Sequence, residues 1–272
     1  MLNYTNFQKW ILNPMLLYIR LLGERTMTLS SEIGKFIFFV SQAIYGIFSL
    51  KIDYKNVLQQ ILNIGFYSLP VVGMTAFFSG AVLALQTYTG FARFSAESTI
   101  ATVVVLSITR ELGPVLAGLM VAGRVGASIA AEIGTMRVTE QVDALFVLST
   151  DPIRYLATPR IIAAAISLPI LVLIGDIVGV LGGYLVSVGK LGFNSSNYIM
   201  NTFKFLKFID VVSGLVKACV FGVVIASVSS YHGYYSGRGA KGVGDATTNA
   251  VVYSSILILL SNYIITELFF TK

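Results

Sequence analysis

Residues 161–188 read IIAAAISLPILVLIGDIVGVLGGYLVSV, and this stretch decides the class of fold. It carries a single charged side chain, Asp176, and exceeds the about 20 apolar residues that an α-helix needs to cross a bilayer. Four other stretches share this character. The predicted membrane spans are residues 64–85, 99–122, 161–188, 211–230 and 247–268.

The composition of the whole chain agrees with this prediction. Of its 272 residues, 56% are hydrophobic and only 12% are charged, and the mean hydropathy is +0.80. Soluble domains carry roughly 25% charged residues. The composition therefore excludes a soluble protein, and we predict an all-α integral membrane protein with five transmembrane helices.

The distribution of basic residues predicts the orientation of these helices, because cytoplasmic loops are enriched in Lys and Arg. With the N-terminus in the cytoplasm, 12 of the 19 basic residues fall on the inner side and five on the outer side. The inner set is Lys9, Arg20, Arg25, Lys35, Lys51, Lys55, Arg124, Arg137, Arg154, Arg160, Arg238 and Lys241. The outer set is Arg93, Lys190, Lys204, Lys207 and Lys272. The net charge of +6 thus reflects topology and lipid contact, not binding to nucleic acid, and the C-terminus is expected to be external.

With this orientation the chain divides into three regions. Residues 1–32 are expected to form a cytoplasmic segment, residues 33–56 an interfacial region, and residues 57–272 the five-span domain. Within the interfacial region, residues 36–50 lack charge but are too short to span, and Lys35 and Lys51 close the stretch. We predict an elbow helix that lies in the plane of the membrane there.

Small residues recur every four positions in the predicted spans. Residues four apart share a helix face, and such stripes let helix backbones approach closely in lipid. The glycines assigned to helix packing are Gly118, Gly126, Gly175, Gly179, Gly183, Gly214 and Gly222. They predict either a packing seam inside one bundle or a contact between two copies of the chain.

Two adjacent charges, Arg110 and Glu111, fall near the middle of the second predicted span. A charge at the bilayer centre costs about 2.5–3.5 kcal/mol on insertion scales, so it needs a partner or a wet cavity. Because neighbouring helix residues point about 100° apart, each is expected to have its own partner. Pro114 removes the hydrogen bond to the carbonyl of Arg110 and is expected to open the helix locally. The pair is either a polar lock between helices or the polar lining of a substrate pathway.

A second set of buried polar residues comprises Asp176, Lys217 and Asn262. A depth estimate at 1.5 Å per residue places Asp176 and Lys217 within reach of each other, given the flexible lysine side chain. We predict that they pair, or that Lys217 binds Asn262 or Glu267. This set is interpreted as an intramembrane polar lock.

The most structured polar stretch, EIGTMRVTEQVDAL at residues 132–145, follows the second span. Apolar residues at helical spacing (138, 142, 145) face one side, and polar residues crowd the other. The pattern predicts a short amphipathic helix at the cytoplasmic surface, within a segment that covers residues 132–150. Its acidic face suits contact with a protein. Asp151 and Pro152 are expected to cap and begin the next helix.

This stretch closely resembles the Glu-x-Gly-x-Met-x-Val-x-Glu-Gln-x-Asp-Ala-Leu motif of the MlaE/YrbE family of ABC-transporter permeases. Residues 110–114, 122–124 and 233–248 are also similar to that family, and the resemblance covers roughly residues 50–270. It implies a homodimer that moves phospholipid between the inner and outer membranes of bacteria, or in the plastid inner envelope. The implied partners are a second copy of the chain, a cytoplasmic ATPase that binds ATP and magnesium, and a membrane-anchored MCE-domain protein that handles lipid.

The resemblance also implies roles for individual residues. A coupling helix would dock into the ATPase through Glu132, Arg137, Glu140, Gln141 and Asp143. Arg110 and Glu111 would lie near the lipid cavity between subunits. Asn262 stands where some relatives carry an acid.

The chain itself offers no catalytic constellation. A phosphate-binding Gly-x-x-x-x-Gly-Lys-Ser/Thr loop is absent, and the only histidine, His232, provides no metal or general-base cluster. We therefore expect a transport subunit with no catalytic residues, no metal site and no cofactor of its own. Two alternatives remain: an ion-coupled secondary transporter that uses the intramembrane charges, and a membrane enzyme that acts on lipid headgroups. Five spans without an internal repeat argue against the first.

Overall fold

The computed structural model describes residues 4–47, 54–91 and 97–270, and within them the fold is entirely helical. In chain order the elements begin with α1 (Tyr4–Ile47), α2 (Tyr54–Ile64), a 3₁₀ turn (Phe66–Ser68) and α3 (Leu69–Phe91). They continue with α4 (Glu97–Ser107), a first π segment (Ile108–Leu112), α5 (Gly113–Val121), a second π segment (Ala122–Gly126) and α6 (Ala127–Val138). The remaining elements are α7 (Gln141–Val147), α8 (Pro152–Gly189), α9 (Ser195–Phe205), α10 (Phe208–Tyr234) and α11 (Gly239–Phe270). The predicted all-α fold class is confirmed.

Five helical stretches of the described chain are long and apolar enough to cross a bilayer, and each contains one predicted span. They are Tyr54–Gly90, Thr99–Val138, Pro152–Gly189, Phe208–Tyr234 and Gly239–Phe270. Three of the basic residues assigned above to the inner or outer side lie outside the described residues: Lys51, Arg93 and Lys272.

The centre of the bundle is α8, which packs most extensively against α3 and α10, while α10 also contacts α6 and α11. Buried Leu168 and Leu171 of α8 and Phe221 of α10 belong to one apolar core. In the most apolar stretch of α10, 56% of residues are buried, against 17% in α11. The outer position of α11 leaves one of its sides free for lipid or for another chain.

The N-terminal region differs from the prediction of a short elbow helix. Helix α1 runs from Tyr4 to Ile47, so it continues through Lys35 and through the expected boundary at residue 32. Lys35 does not close the helix, since lysine is a good helix former, and it pairs with Glu32 one turn earlier, at 3.0 Å, on the helix surface. Residues 48–50 of the predicted elbow lie outside the described residues.

The helix that contains Arg110 is continuous over Thr99–Val138 but has two π segments. The sequence predicts local opening near Pro114, and the first π segment ends two residues before it. Here the backbone N–H of Gly113 donates to the carbonyl of Ile108, five residues back, in place of an α-helical bond. Such π segments are rare and often occur at functional sites.

The segment after this helix corrects another prediction. Residues 132–145 do not form one amphipathic helix: α6 ends at Val138, and α7 begins only at Gln141. Between them Glu140 adopts a left-handed backbone with φ of 61°, which breaks the helical periodicity on which the prediction rested. The predicted cap of α8 is confirmed, since Asp151 accepts hydrogen bonds from the backbone N–H of Ile153 and Arg154.

Candidate functional site

A buried ion pair joins the first π segment to α10. The Nζ of Lys217 donates to Oε1 of Glu111 at 2.8 Å, and the lysine side chain is completely buried whereas 39% of the glutamate side chain is exposed. The unpaired ammonium would be costly at this depth, so the carboxylate is its counter-charge.

The same lysine also binds a backbone carbonyl that lacks its usual helical hydrogen bond. Pro114 has no N–H to offer the carbonyl of Arg110, four residues earlier. Nζ of Lys217 donates to this carbonyl at 2.7 Å. One side chain thereby satisfies both the carboxylate and the backbone oxygen that the proline leaves free.

Helix α11 completes this cluster. Nδ2 of Asn262 donates to Oε2 of Glu111 at 2.8 Å, and the hydroxyl of Thr266 donates to Oε1 at 3.0 Å. We call Glu111, Lys217, Asn262 and Thr266 the polar network. It ties three helices together around one carboxylate, which explains how a neutral amide can occupy position 262: it supplies a donor to Glu111.

Arg110 has a different partner, as the sequence predicted for these adjacent charges. Its Nε and Nη2 lie 2.9 and 2.8 Å from Oδ1 of Asp210, and its guanidinium stands 4.5 Å above the ring centroid of Phe270. Asp210 is completely buried, and its other oxygen accepts the backbone N–H of Lys207 at the start of α10. Arg110 is therefore level with the beginning of α10 and the end of α11, not at mid-span.

Asp210 is a partner of Arg110 that the sequence did not predict. A usable signal was present, because an acid three residues after Lys207 at the start of an apolar run is typical of a helix N-terminus.

The predicted pair between Asp176 and Lys217 is wrong. Lys217 binds Glu111, while Asp176 lies on α8 against the backbone of Gly113. Its Oδ1 is buried without a hydrogen-bond partner among the described residues. Both side chains lie against the first π segment and its end, but Asp176 faces Gly113 whereas Lys217 binds Arg110 and Glu111.

The seven glycines assigned to helix packing all lie against neighbouring helices of the same chain. A Cβ at Gly222 would stand 2.4 Å from the carbonyl oxygen of Ala164, and one at Gly214 would stand 2.6 Å from that of Thr109. Gly118, Gly126, Gly175, Gly179 and Gly183 face side chains or backbone within 3.5 Å. The closest approach to the backbone of another helix involves Gly80, which was not among the predicted packing glycines: its Cβ would lie 1.9 Å from the carbonyl oxygen of Gly179.

A second polar region surrounds α7. Arg137 pairs with Asp143 across the turn at Glu140, and Glu132 accepts a hydrogen bond at 2.8 Å from Arg160, whose side chain is 5% exposed. A cavity of about 490 Å³ separates this turn from the connection between α10 and α11. It is lined by Arg137, Val138, Glu140, Asp143, Ser236, Gly237 and Arg238. Gln141 begins α7 and donates to Thr139.

Within the ranges that the structure describes, no group of three His, Cys, Asp or Glu side chains is placed to hold a metal ion. The residues brought together are charges and amides that join helices. Five apolar helices joined by a polar network define a multi-span membrane protein.

The comparison with known proteins identifies the group within this class. The family described as Permease MlaE matches residues 57–268, and the chain belongs to this family, as the motif at residues 132–145 predicted. The chain is 70% identical to a probable ABC transporter permease protein of Rickettsia bellii, over 92% of this chain and 96% of the relative. It is 32% identical to the intermembrane phospholipid transport system permease protein MlaE of Haemophilus influenzae, over 93% and 97% of the two chains. It is also 39% identical to the protein Trigalactosyldiacylglycerol 1, chloroplastic, of Arabidopsis thaliana, over 84% of this chain and 65% of the plant protein.

Proposed function

We propose that this chain is the permease subunit of an ABC transporter that moves phospholipid between the inner and outer membranes of a bacterium. The observation that carries the proposal is the full-length similarity to the phospholipid transport permease of H. influenzae. The subunit acts as a homodimer in the inner membrane, with a separate ATPase that holds ATP and magnesium and an MCE-domain protein that receives or delivers lipid.

The orientation follows from the basic residues. Arg137 and Arg238 line the cavity beside α7, and Arg154 lies in the first turn of α8. The positive-inside rule favours the cytoplasm for this end of the bundle. The opposite end, with Arg110 and Asp210, then faces the periplasm.

Arg110 and Glu111 are suited to a lipid pathway at that end. Their side chains remain 34% and 39% exposed although their partners Asp210 and Lys217 are completely buried. The guanidinium of Arg110 can therefore meet a headgroup phosphate in fork geometry while Asp210 holds it in place. Acyl chains would lie against the apolar helices beside it.

The function is tested by lipid transfer from proteoliposomes that contain the permease with its ATPase and MCE partner. We expect fluorescent phospholipid to move only with ATP and magnesium. Transfer that follows a proton gradient in vesicles without the ATPase would contradict the proposal and favour the ion-coupled alternative.

Coupling to the ATPase runs through the polar region around α7. The turn at Glu140 projects from the bundle, with Glu140 exposed and Asp143 paired to Arg137. Helix α6 belongs to the same continuous helix as Arg110 and Glu111. A displacement of α7 by the ATPase would therefore be transmitted to the polar network along this helix.

Reversing the charge of Glu140 tests the contact with the ATPase. Glu140→Lys is expected to reduce ATPase association at least about tenfold, because opposed charges across an interface would become repulsive. Glu140→Gly is the matched control: it removes the charge but suits the left-handed backbone, with φ of 61°. Co-purification of the two subunits measures the effect. Wild-type association by the Lys variant would contradict the assignment of this turn to the ATPase interface.

A further inference from the structure

A second polar cavity of about 390 Å³ lies between the start of the first span and the second π segment. Its apolar floor consists of Ile64, Val125 and Ile129. Its polar lining is Gln60, Asn63, Tyr67, Arg124, Ser128 and Glu132. None of these residues belongs to the polar network. Three of them, Ser128, Ile129 and Glu132, lie on α6, which leads to the proposed cytoplasmic end of the bundle.

Both walls of this cavity interrupt regular helix. On one wall α2 ends at Ile64 and gives way to the 3₁₀ turn at Phe66–Ser68; on the other, the second π segment covers Ala122–Gly126. Irregular backbone at membrane depth is tolerated where it lines a cavity or is buried in protein. Two such segments facing each other indicate a built cavity and not an accident of packing.

The charged groups in the cavity have unused hydrogen-bonding capacity. Nη1 of Arg124 donates to Oγ of Ser68 at 2.7 Å and to the carbonyl of Asn63 at 3.4 Å. In the described ranges Nε and Nη2 have no protein acceptor. Glu132 uses Oε2 for Arg160, and its side chain is 55% exposed. A cation is thus held in place with its Nε and Nη2 groups free, two helical turns from a partly free carboxylate.

An apolar stripe leads away from the cavity along the first span. Tyr67, Val71, Met74, Phe78 and Val82 recur at helical spacing and are each 42–61% exposed. From Tyr67 to Val82 the stripe extends roughly 22 Å at 1.5 Å per residue. A polar cavity at one end of an exposed apolar track matches a headgroup with attached acyl chains, whereas a free anion would make no use of the track.

We propose that this cavity binds the headgroup of a zwitterionic phospholipid, with the phosphate on Arg124, the ammonium toward Glu132 and the acyl chains along the stripe. The proposal rests on the proposed lipid transport and adds a second headgroup site on the same helix as Arg110. The 14 positions between Arg110 and Arg124 correspond to roughly 21 Å, so the two arginines serve opposite halves of the membrane. Glu132 disfavours lipids whose headgroup is only anionic.

Photolabelling tests the site without ATP or a partner. The full-length protein is placed in nanodiscs of phosphatidylcholine with a photoactivatable phosphatidylethanolamine, and labelled peptides are quantified by mass spectrometry. Labelling of residues 60–68 and 124–132 is normalised to labelling of the exposed side of α11, which any bilayer lipid reaches. We expect Arg124→Gln to lower the normalised labelling about tenfold, since it removes a charge-assisted contact to phosphate.

Several variants control for loss of structure. Arg124→Lys and Ser68→Ala retain a cation at the site and are expected to keep most of the labelling. Arg25→Gln removes an exposed arginine far along the chain and is expected to change nothing. Glu132→Gln is expected to reduce labelling by phosphatidylethanolamine but not by a phosphatidylglycerol probe.

Three results would overturn the proposal: wild-type labelling in Arg124→Gln, equal labelling by the phosphatidylglycerol probe in the unaltered protein, or displacement of the lipid by inorganic phosphate. Because no transport step is involved, absent labelling refutes this site alone. Absent ATP-driven transfer with intact labelling refutes the transport proposal and leaves the site.

Discussion

Replacing Glu111 with glutamine is expected to abolish lipid transfer and to lower the free energy of unfolding by about 3 kcal/mol. The substitution leaves the ammonium of Lys217 completely buried with only the carbonyl of Arg110 and a neutral amide as acceptors. Removing one partner of a buried ion pair costs about 3–5 kcal/mol, and the lower end applies because 39% of the glutamate side chain is exposed. Unfolding of the purified protein by SDS measures the stability, and the proteoliposome assay measures transfer.

The double variant Glu111→Gln, Lys217→Met is the control for this prediction. It removes both charges, so we expect it to recover most of the lost stability while transfer stays absent. A double variant as unstable as Glu111→Gln alone would show that the ion pair is not the source of the loss. Unchanged stability in Glu111→Gln would place the lysine in water and contradict the buried network.

Replacing Gly80 with valine is expected to prevent assembly of the bundle or to destabilise it by about 3 kcal/mol or more. A Cβ at this position would stand 1.9 Å from the carbonyl oxygen of Gly179 and 2.7 Å from its carbonyl carbon. Backbone atoms in a packed helix cannot move aside as a flexible side chain can, so α3 and α8 must separate. The recovery of monodisperse protein on size exclusion and its melting temperature measure the effect.

Gly73→Val is the matched control on the same helix. No atom lies within 4 Å of a Cβ at Gly73, and the change in intrinsic helix propensity is the same at both positions. We expect near wild-type recovery. Equal damage at the two glycines would mean that helix propensity, not the contact with Gly179, causes the loss.

The sequence was sufficient to predict the five spans, because each depends only on a local run of apolar residues. It also selected Arg110, Glu111, Lys217 and Asn262, since a charged or amide side chain in such a run is rare enough to be noticed. Their partners depend on rotation about the helix axis as well as on depth. Depth alone, at 1.5 Å per residue of straight α-helix, places Lys217 within reach of Asp176, whereas its position around the helix axis directs it to Glu111.

Other contacts left weaker signals. Asp210 precedes the predicted span and lies in the first turn of α10, where an acidic residue is common. Gly80 faces Gly179 between two helices, and its small neighbours four residues away are alanines, Ala76 and Ala84, not glycines. The helix break at Glu140 is not marked by a glycine or proline in the sequence, because a glutamate adopts the left-handed backbone there.

The two π segments have a consequence for chain length. Each accommodates one extra residue in a continuous helix of 40 residues by widening one turn, so the residues that follow keep the face that a regular α-helix one residue shorter would give them. A deletion of one residue within 122–126 is therefore expected to convert that segment to regular α-helix and to leave Glu132 facing Arg160. The same deletion within 127–131, in regular α-helix, would rotate Glu132 by about 100° relative to Glu111. The two π segments thus give this helix two places where its length can change without turning its charged ends away from their partners.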